Sequence, residues 1–158
     1  MMIRQIKGKD DSIIAGIIRK NLEAANLNVP GTVYFDKEID YLSKVYVGPE
    51  SKYFVYTDEN DKALGGIGFA RFPQMEDTAE LQKLYLDDSI KGKGVSYELV
   101  SFIEEEVKKA GYKKAYLETH ENLQIAIHLY EKCGYERIAR PENVQHGKMT
   151  HFYLKTLV

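Results

Sequence analysis

Apolar residues recur along this chain with two different periods, and the switches between them mark its elements. Ile13, Ile14, Ile17, Ile18, Leu22 and Ala25 fall on one helical stripe, with Arg19, Lys20 and Glu23 away from it. The spacing predicts a first helix packed on a core, capped at Asp10, Asp11 or Ser12. "NVPGTVY" breaks that pattern, and "FDKEIDYLSKVY" predicts a second, weaker helix ending before Gly48 and Pro49. "KYFVYT" and "ALGGIGFARF" are β-rich runs on either side of the polar turn "DENDK", so they predict a hairpin. In "TAELQKLYL" the alternation slips: Leu81 shares a phase with Tyr85, while Leu84 and Leu86 belong to the other face. A β-bulge between Leu81 and Leu84 would shift the facing, and a strand buried on both sides explains the slip as well.

The second half of the chain is easier to divide. Val95, Leu99, Phe102, Ile103, Val107 and Ala110 predict a long helix from about Gly94, with Glu104–Lys108 and Glu105–Lys109 pairs on its outer side. "KKAYLET" predicts a short strand. "ENLQIAIHLYEKCG" predicts a helix with Ile125, Ala126, Leu129, Tyr130 and Cys133 on one stripe and Gly134 as its stop. "YERIAR" and "KMTHFYLKTL" complete the order as two more strands. The expected fold is an α/β (α+β) domain: a mixed, mainly antiparallel central sheet of about six to seven strands flanked by about four helices.

Length and charge narrow the classes. A chain of 158 residues suits a single domain, 1–158. Twenty-two Lys and Arg against 24 Asp and Glu give a net charge of -2, which argues against a nucleic-acid binder that relies on phosphate neutralisation. The single Cys133 excludes an internal disulfide framework and fits a reducing compartment, so the cytoplasm is the expected location. No apolar run reaches the roughly 18 to 20 residues of a membrane helix, and "MMIRQIKGKD" lacks the apolar core of a signal peptide. No membrane association is expected. His120, His128 and Cys133 form no compact ligand set, so no metal is expected either.

One junction asks for a ligand. In "SIKGKGVSYELV" two glycines bracket a lysine at the mouth of the long helix. First-turn amides lack internal partners and carry about half a positive charge, and glycines before them let an anion approach the backbone. Lys91 and Lys93 add attraction. The stretch matches neither the Walker pattern nor the full dinucleotide pattern, since Tyr97 stands where the latter needs its third glycine.

Taken together, "ELQKLYLDDSIKGKGVSYELV" and "YLETHENLQIAIHLYEKCGYERI" resemble the GNAT superfamily of N-acetyltransferases. The resemblance implies acetyl transfer from acetyl-coenzyme A to an amine by direct attack in a ternary complex. It implies that Lys91, Gly92, Lys93, Gly94, Val95 and Ser96 hold the pyrophosphate; Lys91 and Ser96 depart from the family's Arg or Gln and Gly or Ala. It further implies a bulged strand whose backbone at Leu84, Tyr85 and Leu86 bonds the pantetheine arm. Ala126, Tyr130, Gly134 and Tyr135 match a second motif, in which Tyr130 is the general acid that protonates the leaving thiolate. A family Asn that touches pantetheine is replaced here by Leu123, and Asn122, one residue earlier, is either a cofactor contact or a helix N-cap.

Glu80, on the same strand, is the best-placed carboxylate for a catalytic base, and an exposed strand-end charge is the plainer alternative. Tyr34, Phe35, Asp36, Glu38, Asp40 and Tyr41 could offer aromatic faces and negative charge to a small-molecule amine, polyamine-like or aminoglycoside-like. Packed tyrosines on a solvated helix are the alternative. The rival function is a non-catalytic coenzyme A-binding module that regulates a partner. Members of the superfamily are often dimers, so a homodimer is one option, with "KMTHFYLKTL" either an interfacial edge strand or an ordinary paired one.

Overall fold

The computed structural model describes residues 2–158. Its strands are β1 (Met2–Gln5), β2 (Lys52–Thr57), β3 (Ala63–Arg71), β4 (Thr78–Leu86), β5 (Lys114–Thr119), β6 (Glu136–Ile138) and β7 (His151–Thr156). Its helices are α1 (Asp11–Ala24), the short α2 (Leu42–Val45), α3 (Val95–Lys109) and α4 (Gln124–Lys132). The strands form one sheet in the order β1-β2-β3-β4-β5-β7-β6, antiparallel everywhere except between β4 and β5. This is the expected mixed sheet with helices on its faces.

The sheet is covered on both sides, and strand alternation assigns each side chain to a layer. Tyr53 and Val55 join Ile14, Ile18 and Leu22 of α1 in one core. Phe54 and Tyr56, one residue out of phase, join Leu99, Ile103 and Val107 of α3 in the other. At the sheet margin Arg4 donates to Asp61 and to both carboxylate oxygens of Asp10, which is 1% exposed. A buried carboxylate needs such a partner, and this one ties β1 to the start of α1.

Two features of the sheet build the site. The parallel pairing of β4 with β5 covers only Thr78–Glu80 against Lys114–Tyr116. Past that point the strands part, and β4 runs on to Leu86 without a strand on that side. The second feature is a bulge: Gly68 pairs with Gln82 and Gly66 with Tyr85, so Lys83 and Leu84 together oppose Ile67. Lys83 takes a left-handed backbone with φ 54. The slip in "TAELQKLYL" is therefore a bulge, as one of its two readings held.

The glycines of "ALGGIGFARF" serve the same spot. A Cβ on Gly66 would lie 2.5 Å from Tyr53 Cε1, and one on Gly68 2.6 Å from Tyr53 Cδ2. Side chains there would evict Tyr53, whose ring crosses β3 so that its hydroxyl donates to the Lys83 carbonyl at 2.8 Å. That bond occupies a backbone acceptor which the bulge removes from the ladder.

Several expectations are corrected. "FDKEIDYLSKVY" is not one helix but a 3-10 turn over Lys37–Tyr41 followed by α2, because Tyr41 adopts φ -134 between them. Ile125 is 89% exposed rather than on the buried stripe of α4; that helix begins only at Gln124 and buries Ile127, Leu129 and Tyr130. On α3 the ion pairs are Glu105–Lys108 and Glu106–Lys109, while Glu104 turns inward to Lys155 and Tyr135. β7 lies between β5 and β6 and so is no edge strand.

Candidate active site

The parting of β4 from β5 opens a cleft of about 920 Å³. Its walls come from the end of β4, the N-terminus of α3, the C-terminal end of α1 and the first turns of α4. The "KGKG" junction forms one end. Gly92 and Gly94 adopt φ 75 and 79, the left-handed region in which an L side chain is strained, and a Cβ on either would meet nothing within 4 Å. The backbone there is open to the cleft, and Gly94 caps a 15-residue helix whose first amides face outward. An anion of pyrophosphate type fits this end.

Of the residues expected to hold coenzyme A, Leu84, Tyr85, Leu86, Lys91, Gly92, Gly94, Val95, Ser96 and Asn122 line the cleft. Lys93 is not among the lining side chains. Lys91 is no free cation: its Nζ pairs with Asp88 at 2.8 Å and donates to Asn21 Oδ1 at 2.7 Å. Asn21 in turn donates to the Leu86 carbonyl, so α1 is stitched to the end of β4 beside the lysine. Asn122 does not cap α4, whose N-cap is Leu123. Its side chain donates to the Ala25 carbonyl at 2.9 Å and ties α4 to the end of α1 across the cleft rim. His120 is likewise a turn residue, its Nδ1 accepting from the Asn122 amide.

A smaller cavity of about 80 Å³ lies behind β4. Glu80, Lys83, Glu118 and His146 face it, and it shares Leu84, Tyr85, Leu123, Ala126 and Tyr130 with the large cleft. Tyr130 thus stands at the junction of the two spaces. Its hydroxyl makes no hydrogen bond among the described residues. Burial pushes that hydroxyl well above the usual tyrosine range, so it stays protonated.

Glu80 is no exposed strand-end charge. Burial, and then the neighbouring Glu118, push its carboxyl up to about 7, against a hydrogen bond from Gln82 Nε2 at 2.9 Å. Glu118 is raised by burial too, and accepts from the Tyr116 hydroxyl at 2.8 Å. His146, from the loop between β6 and β7, places Nε2 3.0 Å from both oxygens of Asp36. That contact raises the imidazole above its ordinary value of 6.5 and spans the cavity from the α1–α2 segment.

Glu118, His146 and Lys83 were missing from the residues proposed on sequence grounds. Glu118 left a signal, a lone acid between Leu117 and Thr119 in an otherwise apolar run. His146 lies in a loop without periodicity and left none. The proposed acceptor-binding acids divide: Asp36 reaches the cavity through His146, whereas Asp40 makes a forked pair with Arg19 on the outer surface.

Comparison with known proteins agrees with this geometry. The acetyltransferase (GNAT) family pattern matches residues 20–135, most of the chain. The chain belongs to the GNAT acetyltransferase family. An uncharacterized N-acetyltransferase of Escherichia coli, YjgM, is 35% identical over 139 residues, covering 87% of this chain and 83% of that protein. Among solved structures, a GNAT-family acetyltransferase from Staphylococcus aureus superposes with a TM-score of 0.86 at 15% identity, over 99% of both chains. An aminoglycoside 6'-N-acetyltransferase complexed with coenzyme A superposes with a TM-score of 0.72 at 19% identity, over 100% of this chain and 98% of that one. At such identities the likeness is one of fold. As a GNAT member this protein is an acyltransferase. Among the described residues no helix is long and apolar enough to cross a membrane.

Proposed function

We propose that this enzyme transfers the acetyl group of acetyl-coenzyme A to the primary amine of a small molecule, by direct attack within a ternary complex. The observation that carries the reading is the shared wall: the open cleft and the acidic cavity meet at Tyr130. A thioester in one and an amine in the other approach each other there.

Gly92, Gly94 and the first amides of α3 would hold the pyrophosphate, and the unpaired edge of β4 at Leu84, Tyr85 and Leu86 would bond the pantetheine arm. When bound, the coenzyme supplies an activated acetyl group. Glu80 accepts the proton that the incoming ammonium must lose; a carboxyl titrating near 7 is matched to that exchange at neutral pH. The amine nitrogen then bonds to the acetyl carbon while a β4 amide stabilises the charge developing on the carbonyl oxygen. Tyr130 passes its hydroxyl proton to the sulfur as the carbon–sulfur bond breaks, and the acylated nitrogen returns its surplus proton to the Tyr130 oxygen, leaving a neutral amide and a thiol. A reducing compartment suits the free Cys133, and we place the reaction in the cytoplasm.

Two measurements test this. Acetyl-coenzyme A at about a hundred times its Kd is expected to stabilise the fold by roughly 2.7 kcal/mol. Thiol release is expected with some members of a broad amine panel and lost in Tyr130→Phe. Binding without turnover of any amine would leave only a coenzyme-binding module.

A further inference from the structure

We infer that the acceptor carries a carboxylate as well as its amine, and that Lys83 holds that carboxylate, so that the substrates are amino acids rather than polyamines or aminoglycosides. The inference rests on the acetyl-transfer reading above and names the substrate class of the same site.

Lys83 occupies the bulge of β4 and faces the small cavity. Its Nζ donates to the Tyr46 hydroxyl at 3.3 Å and lies 5.6 Å from the centre of that ring. Among the described residues no carboxylate comes within 4.0 Å of it. Arg4 and Lys155, by contrast, are each in contact with carboxylates, Arg4 with Asp10 and Asp61 and Lys155 with Glu104. Burial disfavours the charged form and lowers the Lys83 pKa below its ordinary value of 10.5, and Asp36, Glu80 and Glu38, none of them in ion-pair contact, offset only part of that. An arriving carboxylate supplies a counter-ion in direct contact.

The backbone gives independent support. Lys83 adopts φ 54, a conformation that glycine or asparagine enters at less cost. A residue with a long cationic side chain, held there in a conformation it disfavours, points to a role for that side chain.

The charges around the cavity are arranged as a zwitterion needs. Glu80 and Glu118 come from β4 and β5, while Lys83 and His146 face them from the bulge and from the β6–β7 loop. Asp36 is engaged by His146, and Gln82 links Tyr46 to Glu80 by hydrogen bonds. A polycation would bring a further ammonium group against Lys83 where an amino acid brings a carboxylate. Size agrees: about 80 Å³ admits a small head group.

The test compares thiol release from acetyl-coenzyme A with amino acids and with the amines left by removing their carboxylate: lysine and cadaverine, arginine and agmatine, phenylalanine and phenethylamine. Spermidine and kanamycin are included. The inference expects kcat/KM to favour at least one amino acid over its amine by on the order of 10 to 10²-fold. Lys83→Met should collapse that ratio towards one, and Lys83→Arg should keep part of it. Both variants should keep the thermal shift given by acetyl-coenzyme A, which reports folding and an intact cleft. Turnover of amines, spermidine or kanamycin without preference for the carboxylate, or a ratio unmoved in Lys83→Met, overturns the inference and leaves acetyl transfer standing. No turnover of any compound removes both.

Discussion

Replacing Glu80 by Gln separates the stability of this site from its function, because the same burial that tunes the carboxyl also makes it costly. A carboxyl that titrates near 7 in the folded protein and near 4.5 when unfolded keeps its proton longer when folded. Between those values the folded state binds more protons, so stability falls as pH rises from about 4.5 through 7 and levels off above. The full difference corresponds to about 3 kcal/mol, an upper bound that local relaxation would reduce. Gln preserves the shape, can still accept from Gln82, and abolishes the repulsion from Glu118. At pH 8 Glu80→Gln should therefore be more stable than wild type by about 1 to 3 kcal/mol, a Tm rise of roughly 2 to 4 °C per kcal/mol. At pH 4 the two proteins should melt together. Activity moves the other way: kcat/KM should drop by about 10² to 10⁴, and the acidic limb of the pH profile, centred near 7, should vanish. Melting curves at several pH values, with rates on an accepted amine, provide the check. A variant less stable than wild type at pH 8, or a difference that ignores pH, would refute the argument that Glu80 is held by burial as a base.

Three further outcomes are expected. Tyr130→Phe should lower kcat by about 10² to 10⁴ while stability changes by no more than about 0.5 kcal/mol, since its hydroxyl has no partner to lose; steady-state rates and melts would show it, and an unaffected kcat would remove Tyr130 from the chemistry. Gly94→Ala puts a side chain at φ 79 with no steric neighbour, so it should cost about 1 kcal/mol or more through the backbone alone and raise KM for acetyl-coenzyme A; unchanged melting and KM would contradict an anion cradle there. The imidazole of His146, raised above 6.5 by Asp36, contributes stability that is fully present below pH 6.5 and is lost as pH rises through its folded value; an NMR titration should show the high value in wild type and a lower one in Asp36→Asn, where burial is no longer opposed by the carboxylate.

The run of strands and long helices, the slipped alternation in "TAELQKLYL", the glycine-rich helix entry and the placement of Tyr130 on an inward stripe were determined by the sequence alone, while the choice between a bulge and a strand buried on both sides was decided by strand pairing. Each depends on neighbours within a few residues: a helix repeats every 3.6 positions, a strand every two, and a bulge shows as a broken alternation. What tertiary structure decided is the pairing of distant groups. Glu80 and Glu118 lie on parallel neighbours far apart in sequence, and burial in the folded sheet together with their approach raises the Glu80 carboxyl. His146 meets Asp36 across 110 positions. The junction of cleft and cavity at Tyr130 exists because β4 and β5 part after three pairs, which neither strand's own pattern records. Local periodicity encodes which way a side chain faces; the electrostatics of a site depend on what other elements bring opposite it, and that is a property of the folded sheet.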